Sequence, residues 1–295
     1  MIKKRGRQET GALSSFLPSE IELKRKAERK AKNLKNQYVA AISSFLVLGS
    51  LGAVVVLAPG FKTLRNTFFD WAYGVEVLPK VILGFTTNIL LTIIASILVG
   101  LIALSIALIR TSRSAALAPI RFLATAYVDV FRSIPLILVI LLVGFGVPAL
   151  AIQGLTSNVL ILGTIAVVIT YSAYVAEVIR SGILSVHPSQ KAAARSLGLS
   201  SWQTMRQVIL PQALRRVTPP LLNDLVALIK DTGLVSILGV TDAVRAAQIA
   251  TSRTFNYTPY ITAAVLFLCV TIPLTRYTDR VLRRSMEAQN SQGQA

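Results

Sequence analysis

The chain has 295 residues, 53% of them hydrophobic and 15% charged, with a mean hydropathy of +0.62, too apolar for a soluble domain and implying a bilayer as solvent. The formal charge of +18 does not point to nucleic acid, because the positives flank long apolar runs instead of forming a basic surface interleaved with stacking aromatics. A single cysteine, Cys269, and a single histidine, His187, exclude a disulfide framework and a clustered Cys/His metal site.

Residues 1–37 read as a basic cytoplasmic tail with 11 Lys and Arg. Its charge-dense part, residues 20–35, has the composition of a basic helix on an anionic leaflet, although a solvated topogenic tail is the preferred reading. Residues 36–61 carry no charge and exceed the roughly 20 residues that a helix needs to cross a hydrocarbon core. The run is of spanning length and lacks a small-residue cleavage site, so it reads as a retained first span, residues 38–60, and not as a secretory signal.

The uncharged residues 81–109 form a second span, and residues 254–275 form the last. The uncharged stretch 133–176 is too long for one span and is broken by Pro148, Gln153, Gly154, Ser157 and Asn158, which predicts a hairpin of two spans. Residues 211–234 contain Asp224, Lys230 and Asp231 and supply a sixth span only where their polar face meets protein or water. With six spans both ends share one side, which then carries 24 of the 31 Lys and Arg against 5 on the other, with Arg132 and Lys230 at or within spans. The bias places both termini in the cytoplasm.

The longest interior cytoplasmic loop lies between the fourth and fifth spans. Pro188 suits a first helical position, Ala192 to Ala194 favour helix, and Gly198 suits a left-handed C-terminal residue. Ser200 and Gln203 fit a capping box, after which Trp202, Met205, Val208 and Ile209 recur at helical spacing until Pro211 is expected to interrupt. Two short helices displaying Leu197, Leu199, Trp202 and Met205 either dock a partner or pack back on the spans.

This loop resembles the EAA loop of ATP-binding-cassette (ABC) importer permeases: AAARSLG is followed by LSSWQTMRQVILP, with Ala193, Ala194, Gly198, Leu210 and Pro211 matching the pattern and Ala192 replacing its leading glutamate. FRSIPLILVI at 131–140, YSAYVAEVIRSGILSV at 171–186 and LPQALRRVTPPLLNDLVALIKDTGLVSILGV at 210–240 are similar to segments of the polar amino-acid (His/Glu/Gln/Arg/opine) permeases.

The resemblance implies an all-α polytopic membrane protein of type I importer fold, with a five-helix core plus one N-terminal transmembrane helix. It implies a transmembrane domain over 81–284, a coupling loop over 181–210 and a C-terminal tail over 285–295. Ala193, Ala194, Arg195, Gly198, Leu199, Trp202, Leu210 and Pro211 are then expected to couple to two ABC ATPase subunits, which bind the ATP. The implied assembly adds a second permease, identical or homologous, and an extracytoplasmic solute-binding protein that delivers a polar amino acid. No cofactor is expected in this chain, which carries no Walker-type loop.

Ionisable groups at membrane depth usually face the bundle interior or a wet cavity, so Asp224, Lys230 and Glu177 are candidates for the solute path. Alternatively, Lys230 and Asp231 lie at the outer end of a span, and Glu177 pairs with Arg180 at helical spacing. The rival functions are an ion-coupled secondary transporter, an ABC permease for another small polar solute and an intramembrane hydrolase. The first lacks detectable inverted repeats and the last lacks a nucleophile–base or metal constellation.

Overall fold

The structure, a computed structural model, describes residues 20–112 and 114–292. The expected tail therefore lies in part, residues 1–19, outside the described residues. The chain divides after Thr63 into two units.

In the first unit, helix α1 (Glu20–Leu57) carries both the charge-dense stretch and the apolar span. No Gly or Pro lies between Glu20 and Leu48, and the Lys, Glu and Ala residues before Asn36 are good helix formers, so tail and span share one helix. Helix α2 (Phe61–Phe68) crosses the division between the units.

The second unit is built around helix α3 (Trp71–Thr111), which starts well before the expected residue 81 because Asp70 caps it, accepting from Tyr73 N at 3.2 Å. Helix α4 (Ala118–Ser133) then meets helix α5 (Leu136–Ala149) at a bend of 106°. Pro135 stands at that bend and disfavours helical geometry at Ile134, which is extended with ψ 131°. The expected hairpin over 133–176 is thus unequal: α5 is too short to cross 30 Å at 1.5 Å per residue. Helix α6 (Val159–Ser185) is a full span, capped by Asn158, which accepts from Leu160 N and Ile161 N.

Helix α7 (Pro188–Ser196) follows, then a helical stretch that runs through Ser201–Gln203 and Thr204–Ile209 into helix α8 (Leu210–Asp231) and on through Thr232–Leu238. Helices α9 (Ala243–Thr254) and α10 (Thr258–Gln292) complete the unit. Among the described residues, four helices are long and apolar enough to span a bilayer, or five if the bent pair α4–α5 counts as one. The expected sixth, α8, falls outside that set because Arg215, Arg216, Asp224, Lys230 and Asp231 interrupt its apolar surface.

The main core seam joins α3 to α6. Leu91, Ala95, Val99, Ala103 and Ala107 recur every fourth residue and are all buried, forming one ridge that packs against Ala166, Val167, Ala173 and Ala176 of α6. Small side chains let the two backbones approach closely.

A second cluster joins the start of α3 to α9 and α10 through Val77, Val81, Phe85, Ala243, Ala247 and Ala263. Here Gly84 is required, since a Cβ would sit 2.4 Å from the Asp242 carbonyl oxygen. One turn on, fully buried Asn88 donates to Thr232 Oγ1 and Asp242 Oδ2 and accepts from Ala243 N. This network closes the polar groups at the start of α9 inside the bundle.

Candidate functional site

The loop between α6 and α8 is organised by local hydrogen bonds. His187 caps α7, accepting from Ser189 N, with Pro188 at the first helical position. Gly198, at φ +83°, ends it, while Leu199 N reaches back to Ala194 O at 3.2 Å and Gly198 N to Arg195 O at 3.1 Å. The capping box forms in full: Gln203 N donates to Ser200 Oγ at 3.2 Å and Ser200 N to Gln203 Oε1 at 2.8 Å.

Of the expected coupling residues, Ala193, Arg195, Gly198, Trp202 and Pro211 are exposed, whereas Ala194 is buried and Leu199 and Leu210 are partly covered. Leu197 and Trp202 are 83% and 61% exposed, while Met205 and Val208 pack against the main core. Part of the apolar surface of the loop thus packs back on the bundle, as one expectation had it, while Leu197 and Trp202 stay exposed. Trp202 and Met205 also line a groove of about 620 Å³ with Lys191 and with Leu108 and Ser112 at the end of α3.

Pro211 does not interrupt the helix. The residues before it, Thr204–Ile209, adopt π-helical pairing, which relieves the clash and missing donor that a proline brings to an α-helix. Pro219 and Pro220 also lie inside α8. An uninterrupted helical path therefore links Trp202 in the loop to Asp224 in the bundle.

At the end of the α3–α6 seam, Glu177 is held by two arginines. Arg110 Nη1 of α3 lies 2.6 Å from Oε2, and Arg180 supplies Nη2 to Oε1 at 2.5 Å and Nε to Oε2 at 2.9 Å. The Glu177–Arg180 pair matches the alternative reading of the sequence; Arg110, 67 positions earlier, was visible there only as a topology charge. Both carboxylate oxygens are engaged, so Glu177 is a clamp in this structure.

Asp224 occupies a different setting. It lines a cavity of about 380 Å³ with Gly100, Tyr171, Val175, Leu221 and Leu225, and its Oδ2 is buried with no hydrogen-bond partner. Tyr171 Oη donates to Asp231 Oδ2 at 2.7 Å. Lys230 is exposed and is not among the cavity-lining residues, so the structure does not bring it together with Asp224.

Residues 113–286 match the family described as binding-protein-dependent transport system inner membrane component. The chain belongs to this permease family. It is 35% identical over 203 residues, covering 68% of this chain and 87% of the relative, to a probable amino-acid ABC transporter permease protein, YckA of Bacillus subtilis (strain 168). It is 36% identical over 206 residues, 68% of this chain and 93% of the relative, to a probable glutamine ABC transporter permease protein, GlnM of the same organism.

Among solved structures, an amino acid ABC transporter crystallised with histidines matches with a TM-score of 0.66 and 35% identity over 73% of this chain and 98% of that one. The MetNI methionine ABC transporter in an inward-facing form matches in fold, with a TM-score of 0.58 and 21% identity over 70% of this chain and 95% of that one. The type I importer permease fold anticipated for this chain is therefore its fold.

The clamp generates a stability prediction for this permease. Glu177→Ala leaves Arg110, with only 9% of its side chain exposed, without its counter-charge, which costs up to about 3–5 kcal/mol. The melting temperature of the detergent-solubilised protein is expected to fall clearly, with Glu177→Gln intermediate. A change no larger than that of the exposed control Ser181→Ala would show that the clamp is not structural.

Proposed function

We propose that this permease forms the transmembrane path for a polar amino acid delivered by an extracytoplasmic solute-binding protein. In this reading it pairs with a second permease, identical or homologous, and its cytoplasmic loops engage two ATPase subunits, which bind the ATP. ATP binding closes the ATPase pair, moves the docked loop, and rocks the spans between inward-facing and outward-facing states; hydrolysis resets them. The subunit itself performs no covalent chemistry.

The observation that carries this reading is the continuous helix from Trp202 to Asp224. One end lies at the loop, with its exposed Leu197 and Trp202 side chains; the other places a carboxylate, unpaired among the described residues, in the lining of a cavity between α3, α6 and α8. A displacement at the loop thus moves the cavity wall. An ion-coupled transporter has no use for a capped, outward-facing coupling loop, so the ATPase-driven reading is preferred.

Three experiments on the reconstituted importer test the reading. Asp224→Asn removes the cavity carboxylate while preserving shape, and uptake of the transported amino acid should fall about tenfold with assembly and basal ATP hydrolysis intact; unchanged uptake would place Asp224 outside the path. Gly198→Asp imposes a side chain on a φ of +83° and should misdirect Ser201–Gln203, giving an inserted permease whose solute-stimulated ATP hydrolysis is lost. Wild-type stimulation and ATPase affinity together would remove the loop from the coupling role. Both termini are assigned to the cytoplasm on the charge bias, so Ser201→Cys in a Cys269→Ser background should resist an impermeant thiol reagent applied outside, and external labelling would reverse the assignment.

A further inference from the structure

With Lys230 outside the cavity, the proposed path has a carboxylate for the solute's ammonium group and no expected cation for its carboxylate. Arg132 fills that role by position. It lies one residue before the end of α4, next to the 106° bend into α5. Its carbonyl accepts from Tyr174 Oη at 3.1 Å, and its guanidinium carbon lies 5.9 Å from the centre of the Tyr174 ring.

Tyr174 marks the level of Arg132 along α6. It stands in the middle third of α6 (Val159–Ser185), at about 22 Å of helical rise from one end and about 16 Å from the other. Arg132 therefore stands beside the apolar part of α6, where it is exposed and has no carboxylate within 4.0 Å among the described residues. A cation bordering an apolar span is usually retained where it faces a wet cavity or the bundle interior. The structure also connects it to the cavity: Tyr174 and Tyr171 have ring centres 6.4 Å apart, and Tyr171 lines the same space as Asp224.

A cation–π contact at about 6 Å attracts a guanidinium to the ring without occupying its N–H donors, and their edge matches a carboxylate bidentately. We propose that Arg132, held beside the Tyr174 ring, receives the solute's carboxylate in the transmembrane path, next to the Tyr171 and Asp224 cavity. The inference rests on the amino-acid reading given under Proposed function. It makes Arg132 a specificity residue: solutes without a carboxylate lose this contact.

A charge-rescue experiment on the full importer tests it, with the binding protein and ATPase present in proteoliposomes and L-glutamine, L-glutamate and L-arginine as probes. In a Cys269→Ser parent, Arg132→Cys should lower uptake of the transported probe about tenfold or more, the factor expected for one charged hydrogen-bond partner. Reaction with 2-aminoethyl methanethiosulfonate, which restores a cation, should recover uptake, whereas 2-sulfonatoethyl methanethiosulfonate should not. The transported probe should also slow the modification. Wild-type uptake by Arg132→Cys, failure of the thiol to react in the assembled complex, or equal rescue by both reagents would each overturn the proposal, the second by placing Arg132 against lipid or a neighbouring permease.

If the parent imports none of the three probes, the amino-acid reading fails, and this inference with it. If the parent imports one and Arg132→Cys imports it equally, only the role of Arg132 fails. Should Arg132→Cys not assemble, Arg132→Gln and Arg132→Lys give the same comparison: partial uptake in the lysine variant alone supports the proposal, and equal loss in both overturns it.

Discussion

The α3–α6 seam is the contact on which the rest of the bundle depends. In lipid, burying a leucine against another helix gains little over burying it against acyl chains, so association rests on close fit and on polar bonds. The ridge of Leu91, Ala95, Val99, Ala103 and Ala107 supplies the fit, and Arg110 with Glu177 supplies an ionic bond at its end. The elements that line the cavity, α3, α6 and α8, are positioned through this seam.

Polar groups inside the bundle fall into two kinds. Asn88, Thr232 and Asp242 satisfy one another, and Glu177 is saturated by two guanidinium groups; such closed sets stabilise a fold and offer nothing to a solute. Asp224 Oδ2 is buried without a partner, a state that costs free energy unless water or a solute completes it. Asp224 is also a residue of the cavity lining, which distinguishes its setting from that of the closed sets.

The helical stretch through Thr204–Ile209 and α8 connects the loop to that cavity. A proline at the start of a helix usually marks a joint, but here the π turn absorbs Pro211 and keeps the path continuous.

How much of this was legible in the sequence follows from the range of the forces involved. Apolar length and charge bias fixed the bilayer and most of the spans, and the end of α7 at Gly198 and the Ser200–Gln203 box were readable because each closes within a few residues of itself. The cap at Asp70 is equally local, yet the charged residues Glu76 and Lys80 obscured it by hiding the start of α3 from a hydropathy reading. The place of Asp224 at a cavity was anticipated from one carboxylate on an apolar stretch; the exposure of Lys230, six residues later, was decided by which face of α8 packs inward. Only the tertiary structure paired Arg110 with Glu177, set Arg132 against Tyr174 and brought Asn88 to Asp242. Those partners are 42 to 154 residues apart, and no periodicity or local propensity encodes which distant side chains will share one depth in the membrane.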